Sequence, residues 1–408
     1  MVSAAERNGI YAGVLTKERS DLMLNAAKII FKSPTQLVIE NGVSNELGKY
    51  LKKLNVSKAL LVTDSMIVKL GIVDKVMEEA LKYGIEFAVY SEVLPEPPEE
   101  NVTEALSIYR SNDCNGVVGL GGGSAIDVAK AVAMLVTNGG SFTDYTGIDK
   151  VPYRCDSLIL MPTTSGTGSE VSVFSIMLVN GSKAGVVDQN ISANIALVDP
   201  ELTLSVPPKV TAATGLDAFC HHIESFLSTN ASPFADVICL EGIRVISKYL
   251  RKAVADGSNS SARYWMSYAS TIGGYVMNLT DGAAANHGLA FALGAKFHVG
   301  HGLSNAVMLP HSFPVVGRAE LEKVRLIGEA MGVSLEGLSD REALDSVTEA
   351  ITALVSDVGC LVPLRELGVT EGDLDSLVSE AKTQTRVMGH STYKLTDEEM
   401  RIMFAEAL

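Results

Sequence analysis

The sequence predicts a two-domain protein, with an α/β domain in its first half and an all-helical domain in its second half. Three observations support this fold class. The 408 residues are too many for one ordinary core, strand-like and helix-like segments alternate up to about residue 205, and strand-like segments nearly vanish after Pro207 and Pro208. Because strands that alternate with helices form parallel sheets, we expect helices on both faces of a parallel sheet in the first domain, residues 1–205.

The first domain contains five segments that we predict to be buried strands. They are residues 57–64, 85–93, 114–123, 157–164 and 193–200. Between them, residues 73–84 and 101–112 have the apolar spacing of amphipathic helices. Residues 1–25 are expected to form a loosely structured N-terminal extension.

The second domain, residues 206–408, is expected to be all helical. Long apolar-periodic stretches occupy residues 233–257, 261–279 and 343–359. The last helix is predicted to begin at Thr396, because Glu399 follows three residues later in a capping-box pattern.

Composition excludes several classes of function. The net charge of -15 argues against nucleic-acid binding, which requires a cationic surface. No apolar run is both long and uncharged enough to span a bilayer. The five cysteines are odd in number and form no CxxC pair, which is typical of a reducing compartment, so we expect a cytoplasmic protein.

A run of glycines separates a predicted strand from a predicted helix. Gly121, Gly122 and Gly123 carry no side chains, so an anion can approach their backbone closely. The helix that begins near Ser124 offers free N–H groups and the positive end of its dipole. Three successive glycines in this setting favour a pyrophosphate-binding loop over a simple tight turn.

Asp64 is the acidic residue best placed to accompany this loop. The usual dinucleotide fingerprint has its acidic residue about 20 positions after the glycines, whereas Asp64 precedes them at the end of another strand. A carboxylate there can accept hydrogen bonds from ribose hydroxyls and would repel a 2′-phosphate, which favours NAD over NADP. The alternative is that Asp64 caps the following helix.

A hydroxyl-rich loop follows the fourth predicted strand. Residues 161–172 include Thr163, Thr164 and Thr167 among glycines. Such a loop at the carboxyl end of a strand can bind cofactor phosphate, ribose or carboxamide, although loops rich in Ser, Thr and Gly are common.

One carboxylate and three imidazoles form a complete ligand set for a divalent transition metal. Asp217 and His221 are four residues apart in a predicted helix and therefore share one face. His287 and His301 lie in a stretch interrupted by glycines, so they can converge from different elements. This mixed N/O set suits Fe²⁺ or Zn²⁺ better than Mg²⁺ or Ca²⁺. Glu224, one turn further along the helix, either orients a ligand or is an exposed surface charge.

Taken together, these segments resemble the iron-containing (group III) alcohol dehydrogenases. The resemblance covers nearly the whole chain from about residue 30. It depends on GGGSAIDVAK at 121–130, PTTSGTGSE at 162–170, DPELT at 199–203, DAFCHHIE at 217–224, and the HG pairs at 287–288 and 301–302.

The resemblance implies a dehydroquinate synthase-like fold, in which an α/β NAD-binding domain and a helical metal-binding domain enclose the catalytic cleft. It implies a homodimer, and it implies that Asp217, His221, His287 and His301 bind Fe²⁺ or Zn²⁺. The residues that it places at the cofactor are Asp64, Gly121, Gly122, Gly123, Ser124, Thr163, Thr164 and Thr167. Asp127 and Lys183 are further candidate cofactor-binding residues.

The chain departs from the family pattern around the substrate pocket. Many members have a second histidine four residues after the first HG histidine, where this chain has Phe291, so no proton relay can pass through that position. The family's PNP-like turn is PEPP at residues 95–98, where Glu96 replaces the amide residue. The family's NPR-like segment near the C-terminus is replaced by HSTY at residues 390–393. Phe291 and His298 are therefore our candidate pocket residues, with His298 one candidate for the proton route.

We expect a metal-dependent oxidoreductase that interconverts a small primary alcohol and its aldehyde by hydride transfer with NAD(H). A glycerol-type polyol dehydrogenase with zinc is an alternative. A dehydroquinate synthase-like lyase is less favoured, because the metal-site segments carry only one basic residue apart from histidine, Lys296, for a phosphate-bearing substrate. A catalytically silent nucleotide-binding protein would be expected to lack some of the metal ligands, and all four are present.

Overall fold

A computed structural model describes Phe31, Ser33 and residues 36–155 and 157–408. The predicted N-terminal extension, residues 1–25, lies outside the described residues. The predicted fold class is confirmed: an α/β half with a parallel sheet precedes a helical half.

Within the described residues, the main sheet has six parallel strands. They are β1 (Gln36–Ile39), β2 (Lys58–Val62), β3 (Glu86–Tyr90), β4 (Gly116–Gly121), β6 (Leu158–Pro162) and β9 (Ile195–Val198), in the spatial order β1-β9-β6-β4-β2-β3. Five helices accompany them: α1 (Leu47–Lys53), α2 (Ser65–Lys69), α3 (Ile72–Leu81), α4 (Glu99–Ser111) and α5 (Gly123–Asn138). Helices α4 and α5 contribute to the core on one face, and α1 and α3 to the core on the other. Burial on both faces explains why these strands are almost continuously apolar.

The chain changes direction within this sheet between β2 and β4. It runs from β2 outward to β3 and then returns to the other side of β2 to form β4. Ligands of open α/β sheets bind at such a switch point, beyond the carboxyl ends of the strands. Asp64 follows β2 and the glycine loop follows β4, so both lie at this edge.

A smaller sheet in this half was not predicted from the sequence. It consists of β5 (Gly147–Ile148), β7 (Phe174–Val179) and β8 (Ser182–Val187), with β7 and β8 forming an antiparallel hairpin. Asn180 and Gly181 connect these two strands, with φ values of 51° and 76°. Asn-Gly with both residues at positive φ is the preferred two-residue hairpin turn.

The helical half contains ten described helices. They are α6 (Pro208–Phe226), α7 (Pro233–Ala255), α8 (Ser260–Thr280), α9 (Ala285–Phe297), α10 (His301–Val316), α11 (Leu321–Met331), α12 (Asp340–Asp357), α13 (Leu374–Thr383), α14 (Thr385–Gly389) and α15 (Asp397–Glu406). Helix α15 begins after Thr396 with the predicted capping box to Glu399. Among the helices of the described residues, none combines the length and the hydrophobicity that crossing a bilayer requires.

The loop of residues 163–170, here called the interdomain loop, packs between the two halves. Gly168 has a φ of 59°, and a methyl group there would lie 2.5 Å from the backbone nitrogen of Gly274 on α8. Only glycine accommodates this backbone conformation and this close approach together. The loop also bonds α8 through side chains, because Thr271 donates to Glu170 at 2.6 Å.

A fully buried lysine on α5 holds the end of this loop and the start of the hairpin. The Lys130 ammonium donates to Ser169 Oγ at 2.8 Å, Ser172 Oγ at 3.2 Å and the carbonyl of Phe174 at 2.7 Å. Asp127, one turn earlier on α5, lies 3.7 Å from the ammonium and accepts from Ser169 Oγ. A buried cation is tolerated only when its protons and its charge are compensated, and here both conditions are met.

The substitution Lys130→Met is expected to destabilise the protein by about 3 to 5 kcal/mol, because it leaves the largely buried Asp127 carboxylate without its cation. The urea midpoint of unfolding, followed by circular dichroism, measures this change. The control Lys82→Met removes an exposed ion pair with Glu79 and is expected to change stability by less than about 0.5 kcal/mol. Equal midpoints for the two variants would contradict a structural role for the Lys130 network.

Candidate metal centre

Helix α6 supplies the first two predicted ligands from one face. Asp217 and His221 are one turn apart, both are buried, and His221 Nε2 lies 3.9 Å from Asp217 Oδ1. The helix starts with Pro208 in its first turn, and it buries both polar side chains against α9 and α10. The structure therefore places these two groups side by side, as their four-residue spacing predicts.

Two further helices deliver the remaining imidazoles. His287 lies in the first turn of α9, and its Nε2 is 3.6 Å from Asp217 Oδ1. His301 is the first residue of α10, and its Nε2 is 3.4 Å from the same oxygen. Potential ligand atoms of Asp217, His221 and His287 lie within 4.8 Å of one another, and His301 joins this group through its approach to Asp217.

Burial and mutual contact shift the protonation of these groups. Burial acts to raise the pKa of Asp217, but the neighbouring imidazoles outweigh it and hold this pKa well below its usual range. Burial lowers the pKa of His221, and it lowers the pKa of His301 to about 3. Neutral imidazoles beside an ionised carboxylate are the protonation states in which these groups bind a metal ion.

Glu224 orients the ring of His287 by contacting its Nδ1. It is buried, so it is not the exposed surface charge that was the alternative, and one carboxylate oxygen contacts His287 Nδ1. The other oxygen accepts from the backbone N–H groups of Ala284, Asn286 and His287 at 3.1, 2.7 and 3.3 Å. Glu224 therefore caps the start of α9 and aims Nε2 of His287 at Asp217. Against burial, which would lower it, Glu224 and Asp217 raise the pKa of His287 to about 9.

Sequence reasoning missed Asn305. Its side-chain nitrogen donates to Asp217 Oδ1 at 2.8 Å and lies 3.3 Å from His301 Nε2. The available signal was its spacing, because Asn305 is four residues after His301 on the same helix. Asn305 stabilises the Asp217 carboxylate and holds it against the ring of His301.

The donor set fits a transition metal. His287 Nε2 is buried and has no hydrogen-bond partner among the described residues, although it points toward the carboxylate. For bonds of about 2.1 Å, neighbouring ligand atoms on one ion lie about 3.0 to 3.4 Å apart, close to the 3.4 to 3.9 Å between Asp217 Oδ1 and the three Nε2 atoms. Three imidazoles with a carboxylate suit Fe²⁺ and Zn²⁺ alike.

The edge of the main sheet forms a cradle that side chains would fill. A methyl group at Gly121 would lie 2.7 Å from Ala125 Cβ and 3.5 Å from Asp64 Oδ2. At Gly123, a methyl group would lie 2.9 Å from Thr167 Cγ2. The structure thus brings Asp64, the glycine loop and the hydroxyl-rich loop to one edge, with Ser124 in the first turn of α5.

Other predicted cofactor residues have varied surroundings. Asp64 Oδ1 accepts from the backbone nitrogens of Met66 and Ile67, so the capping interpretation is correct for this oxygen. Thr163 is buried, and its backbone nitrogen donates to the carbonyl of Gly121 at 2.9 Å. Thr164 Oγ1 would lie 3.6 Å from a methyl group at Gly122.

Asp127 and Lys183 do not lie free at the cradle. The two carboxylate oxygens of Asp127 accept from Ser169 Oγ at 2.5 Å and from the backbone nitrogen of Ile176 at 3.0 Å. Lys183, on β8, forms an ion pair with Glu96 at 2.6 Å and lies over the ring of Phe291.

Phe291 and His298 differ in their relation to the metal ligands. The Phe291 ring stacks on His301 with centroids 5.4 Å apart, and it is inclined at 66° to the ring of His287. His298 ends α9 in the left-handed conformation with an exposed side chain. In the described part of the chain, no hydrogen bond or ring contact joins His298 to the ligand set, and its catalytic role stays a prediction. His222 does not belong to the candidate ligand set. It is buried, and its Nε2 lies 2.9 Å from the carbonyl oxygen of Ala269.

One loop touches both the cradle and the metal ligands. Within the interdomain loop, Thr167 approaches Gly123, and a methyl group at Gly166 would lie 2.7 Å from Thr214 Cβ on α6. The backbone of Gly166 also hydrogen-bonds His221. Burial lowers the pKa of this imidazole, and the bond to Gly166 acts in the opposite direction. The two candidate binding regions are therefore neighbours across the seam between the domains.

Family comparison agrees with this architecture in both halves. The model described as iron-containing alcohol dehydrogenase matches residues 34–200, and the one described as Fe-containing alcohol dehydrogenase family, C-terminal, matches residues 211–408. The chain belongs to the iron-containing alcohol dehydrogenase family.

Individual members of the family are similar over nearly their full length. Long-chain-alcohol dehydrogenase 1 of Geobacillus thermodenitrificans (strain NG80-2) is 38% identical over 94% of this chain and 97% of its own. A solved 1,3-propanediol oxidoreductase has a TM-score of 0.89 and 32% identity, covering 94% of this chain and all of that chain. A sulfoacetaldehyde reductase from Bifidobacterium kashiwanohense, solved in complex with NAD⁺, has a TM-score of 0.85 and 28% identity, covering 94% and 99%.

Family membership and the ligand set together establish the class of activity. The protein is a metal- and NAD-dependent alcohol oxidoreductase, with iron as the metal of the family. For the class of activity and its cofactors, the expectations of an enzyme, of NAD and of iron or zinc are confirmed.

The substitution His287→Ala is expected to abolish metal binding, because it removes the imidazole whose Nε2 faces Asp217 and which Glu224 orients. Metal content after anaerobic loading with Fe²⁺, measured by mass spectrometry, tests this. His311→Ala, which alters a histidine 3.8 Å from Glu406, is the control and should retain the metal. Full metal content in His287→Ala would show that the ligand assignment is wrong.

The substitution Glu224→Gln is expected to weaken metal affinity by about 10- to 100-fold while preserving the fold. The amide keeps one oxygen to accept from the first turn of α9, but its NH₂ group opposes the N–H of His287 Nδ1. Competition with a chelator of known affinity measures the loss. An unchanged affinity would mean that Glu224 is only a helix cap.

Proposed function

We propose that this protein interconverts a small primary alcohol and its aldehyde by hydride transfer to and from NAD(H). The observation that carries this proposal is the interdomain loop, which contacts the glycine cradle at Gly123 and the metal-bearing helix α6 at Thr214. A cofactor held at the first region and a substrate oxygen held at the second would meet across this loop. Holding both reactants in one orientation is the main catalytic task for hydride transfer.

In this proposal Asp217, His221, His287 and His301 hold the metal ion. When bound, the ion supplies Lewis acidity toward the oxygen of an alcohol or aldehyde. Glu224 holds a proton of His287 on Nδ1, so Nε2 is the nitrogen that would release its proton and bind the ion. Asp217, His221 and His287 are almost completely buried, so water is excluded from their side of the site.

For the cofactor, we assign the pyrophosphate to Gly121, Gly122, Gly123 and Ser124 at the start of α5. Asp64 would bind the adenosine ribose through Oδ2, since Oδ1 caps α2. Thr163, Thr164 and Thr167 would contact the cofactor from the interdomain loop. Asp127, whose oxygens already accept from Ser169 and Ile176, would position that loop instead of binding the cofactor directly.

Proton transfer needs a route that avoids Phe291, whose ring carries no exchangeable proton. We propose that the proton leaves through water or a cofactor hydroxyl, with His298 as the candidate side chain. His298 is exposed, and its neighbour three residues later is the ligand His301.

We further propose a cytoplasmic homodimer with a domain boundary near residue 205. Membership in the family supports the dimer, and the buried thiols of Cys114, Cys220, Cys239 and Cys360 support a reducing compartment. The boundary is supported by the end of β9 at Val198 and the start of α6 at Pro208. Light scattering of the purified protein tests the dimer.

The proposed reaction is tested with protein loaded anaerobically with Fe²⁺, NAD⁺ and a panel of short primary alcohols. We expect NADH absorbance to appear with primary alcohols, to stop after chelation of the metal and to return when Fe²⁺ or Zn²⁺ is added. Binding of NAD⁺ without turnover of any alcohol or aldehyde would contradict the proposal.

Cofactor choice is tested with Asp64→Asn. Asparagine retains the cap of α2 but removes the charge that would repel a 2′-phosphate. We expect kcat/KM for NADP⁺ relative to NAD⁺ to rise by about tenfold, which corresponds to removing a repulsion of about 1.4 kcal/mol. Asp74→Asn, at an exposed site in the first turn of α3, is the control. If both variants keep the original ratio, Asp64 does not contact the ribose.

A further inference from the structure

Asn286 connects the two groups that support the candidate metal ligands. Its backbone N–H donates to Glu224 at 2.7 Å, and Glu224 in turn orients His287. Its side-chain nitrogen donates to Asn305 Oδ1 at 3.3 Å, and Asn305 donates to Asp217 at 2.8 Å. Asn286 is buried and directly precedes His287 in the first turn of α9. It therefore touches the support of the imidazole with its backbone and the support of the carboxylate with its side chain.

Ser312 extends these contacts by one further hydrogen bond. Its hydroxyl donates to Asn286 Oδ1 at 2.8 Å. Ser312 lies seven residues after Asn305 on α10, which corresponds to two helical turns, so both residues can reach the same neighbour. The side chains of Ser312, Asn286 and Asn305 are all buried and form a chain of hydrogen bonds that ends on the Asp217 carboxylate. We call it the serine–asparagine chain.

A backbone carbonyl fixes the direction of the serine–asparagine chain. Asn286 Nδ2 lies 3.2 Å from the backbone carbonyl oxygen of Asn305, which accepts hydrogen bonds and cannot donate them. The Asn286 amide must therefore turn its NH₂ group toward Asn305 and its oxygen toward Ser312. The Asn305 side chain then accepts with its oxygen and donates with its NH₂ group to Asp217. A donor at this place stabilises the ionised carboxylate, which is the form that binds a metal ion.

We propose that Ser312 and Asn286 are positioning residues of the metal centre, which act through Asn305 on the orientation of Asp217. This inference rests on the ligand set of the proposed function. Without the Ser312 hydroxyl, the buried oxygen of Asn286 loses its donor, and the amide can rotate. Asn305 then loses the contact that keeps its oxygen turned away from Asp217. Hydrogen-bond partners behind metal ligands typically change metal affinity by about 10- to 100-fold.

The first experiment measures the affinities for Zn²⁺ and Co²⁺ by competition with a chelator. Ser312→Ala is expected to weaken both by about tenfold, at the lower end of the range because it acts through two intervening amides. The visible absorption of bound Co²⁺ depends on the geometry of its ligands, and we expect its bands to shift in this variant. Affinities and an absorption spectrum equal to those of the wild type would overturn the inference.

Two variants separate positioning from a general loss of packing. Ser312→Thr keeps the hydroxyl, and the small cavity of about 20 Å³ beside Ser312 gives space to the added methyl group, so we expect the affinity of the wild type. Ser175→Ala removes a buried hydroxyl that donates to the carbonyl of Asp127 at 2.9 Å in the other half of the chain, and it should change neither affinity nor spectrum. A loss as large as that of Ser312→Ala in either variant would overturn the inference.

A double-mutant cycle tests whether Ser312 acts through Asn286. Asn286→Ala is expected to weaken Zn²⁺ binding by about 10- to 100-fold. Once the Asn286 side chain is removed, Ser312 has no connection to Asp217. The variant Ser312→Ala/Asn286→Ala should therefore bind Zn²⁺ as Asn286→Ala alone does. Losses that multiply in the double variant would show independent effects and overturn the inference.

These measurements need no turnover, so they distinguish this inference from the proposed function. If the wild type binds Zn²⁺ and Ser312→Ala binds it equally well, the inference fails and the proposed function stands. Sites with nitrogen and oxygen ligands bind Zn²⁺ and Co²⁺ more tightly than Fe²⁺. A wild-type protein that binds neither ion would therefore contradict the ligand set of the proposed function and overturn this inference with it.

Discussion

The interdomain loop of residues 163–170 is the contact on which the arrangement of the two halves depends. Thr167 faces the glycine cradle, and the adjacent Gly166 lies against the helix that carries Asp217 and His221. Gly168 permits backbone contact with α8, and the Lys130 ammonium fixes the end of the loop. Because the proposed cofactor and metal regions are built on different halves of the chain, this packing would decide whether they face each other.

The candidate metal ligands show how neighbouring opposite charges and hydrogen bonds reduce the cost of burying polar groups. A buried carboxylate among three imidazoles would be costly by itself, and each additional contact reduces that cost. Asn305 donates to the Asp217 carboxylate, and Glu224 satisfies both His287 and the start of α9. A bound divalent ion would complete this compensation, since it supplies the positive charge toward which the donor atoms converge. The site therefore couples metal binding to the stability of the helical domain.

The sequence was sufficient for features that depend on local spacing. Apolar segments between helices predicted the parallel strands, and the four-residue interval predicted that Asp217 and His221 share a face. Features that depend on tertiary neighbours were missed. Nothing local indicates that Lys130 is buried between Ser169 and Phe174, or that Asn305 meets Asp217 from another helix. The β7–β8 hairpin had a signal at Asn180 and Gly181, but the strands beside it do not alternate between apolar and polar residues.

The most direct test is a crystal structure of the protein loaded with Fe²⁺ and NAD⁺, with anomalous scattering used to locate the iron. This account predicts one iron bound by Asp217, His221, His287 and His301, and a nicotinamide ring that lies beside it along the interdomain loop. Iron bound by other residues, or a nicotinamide ring that points away from the iron, would contradict the account.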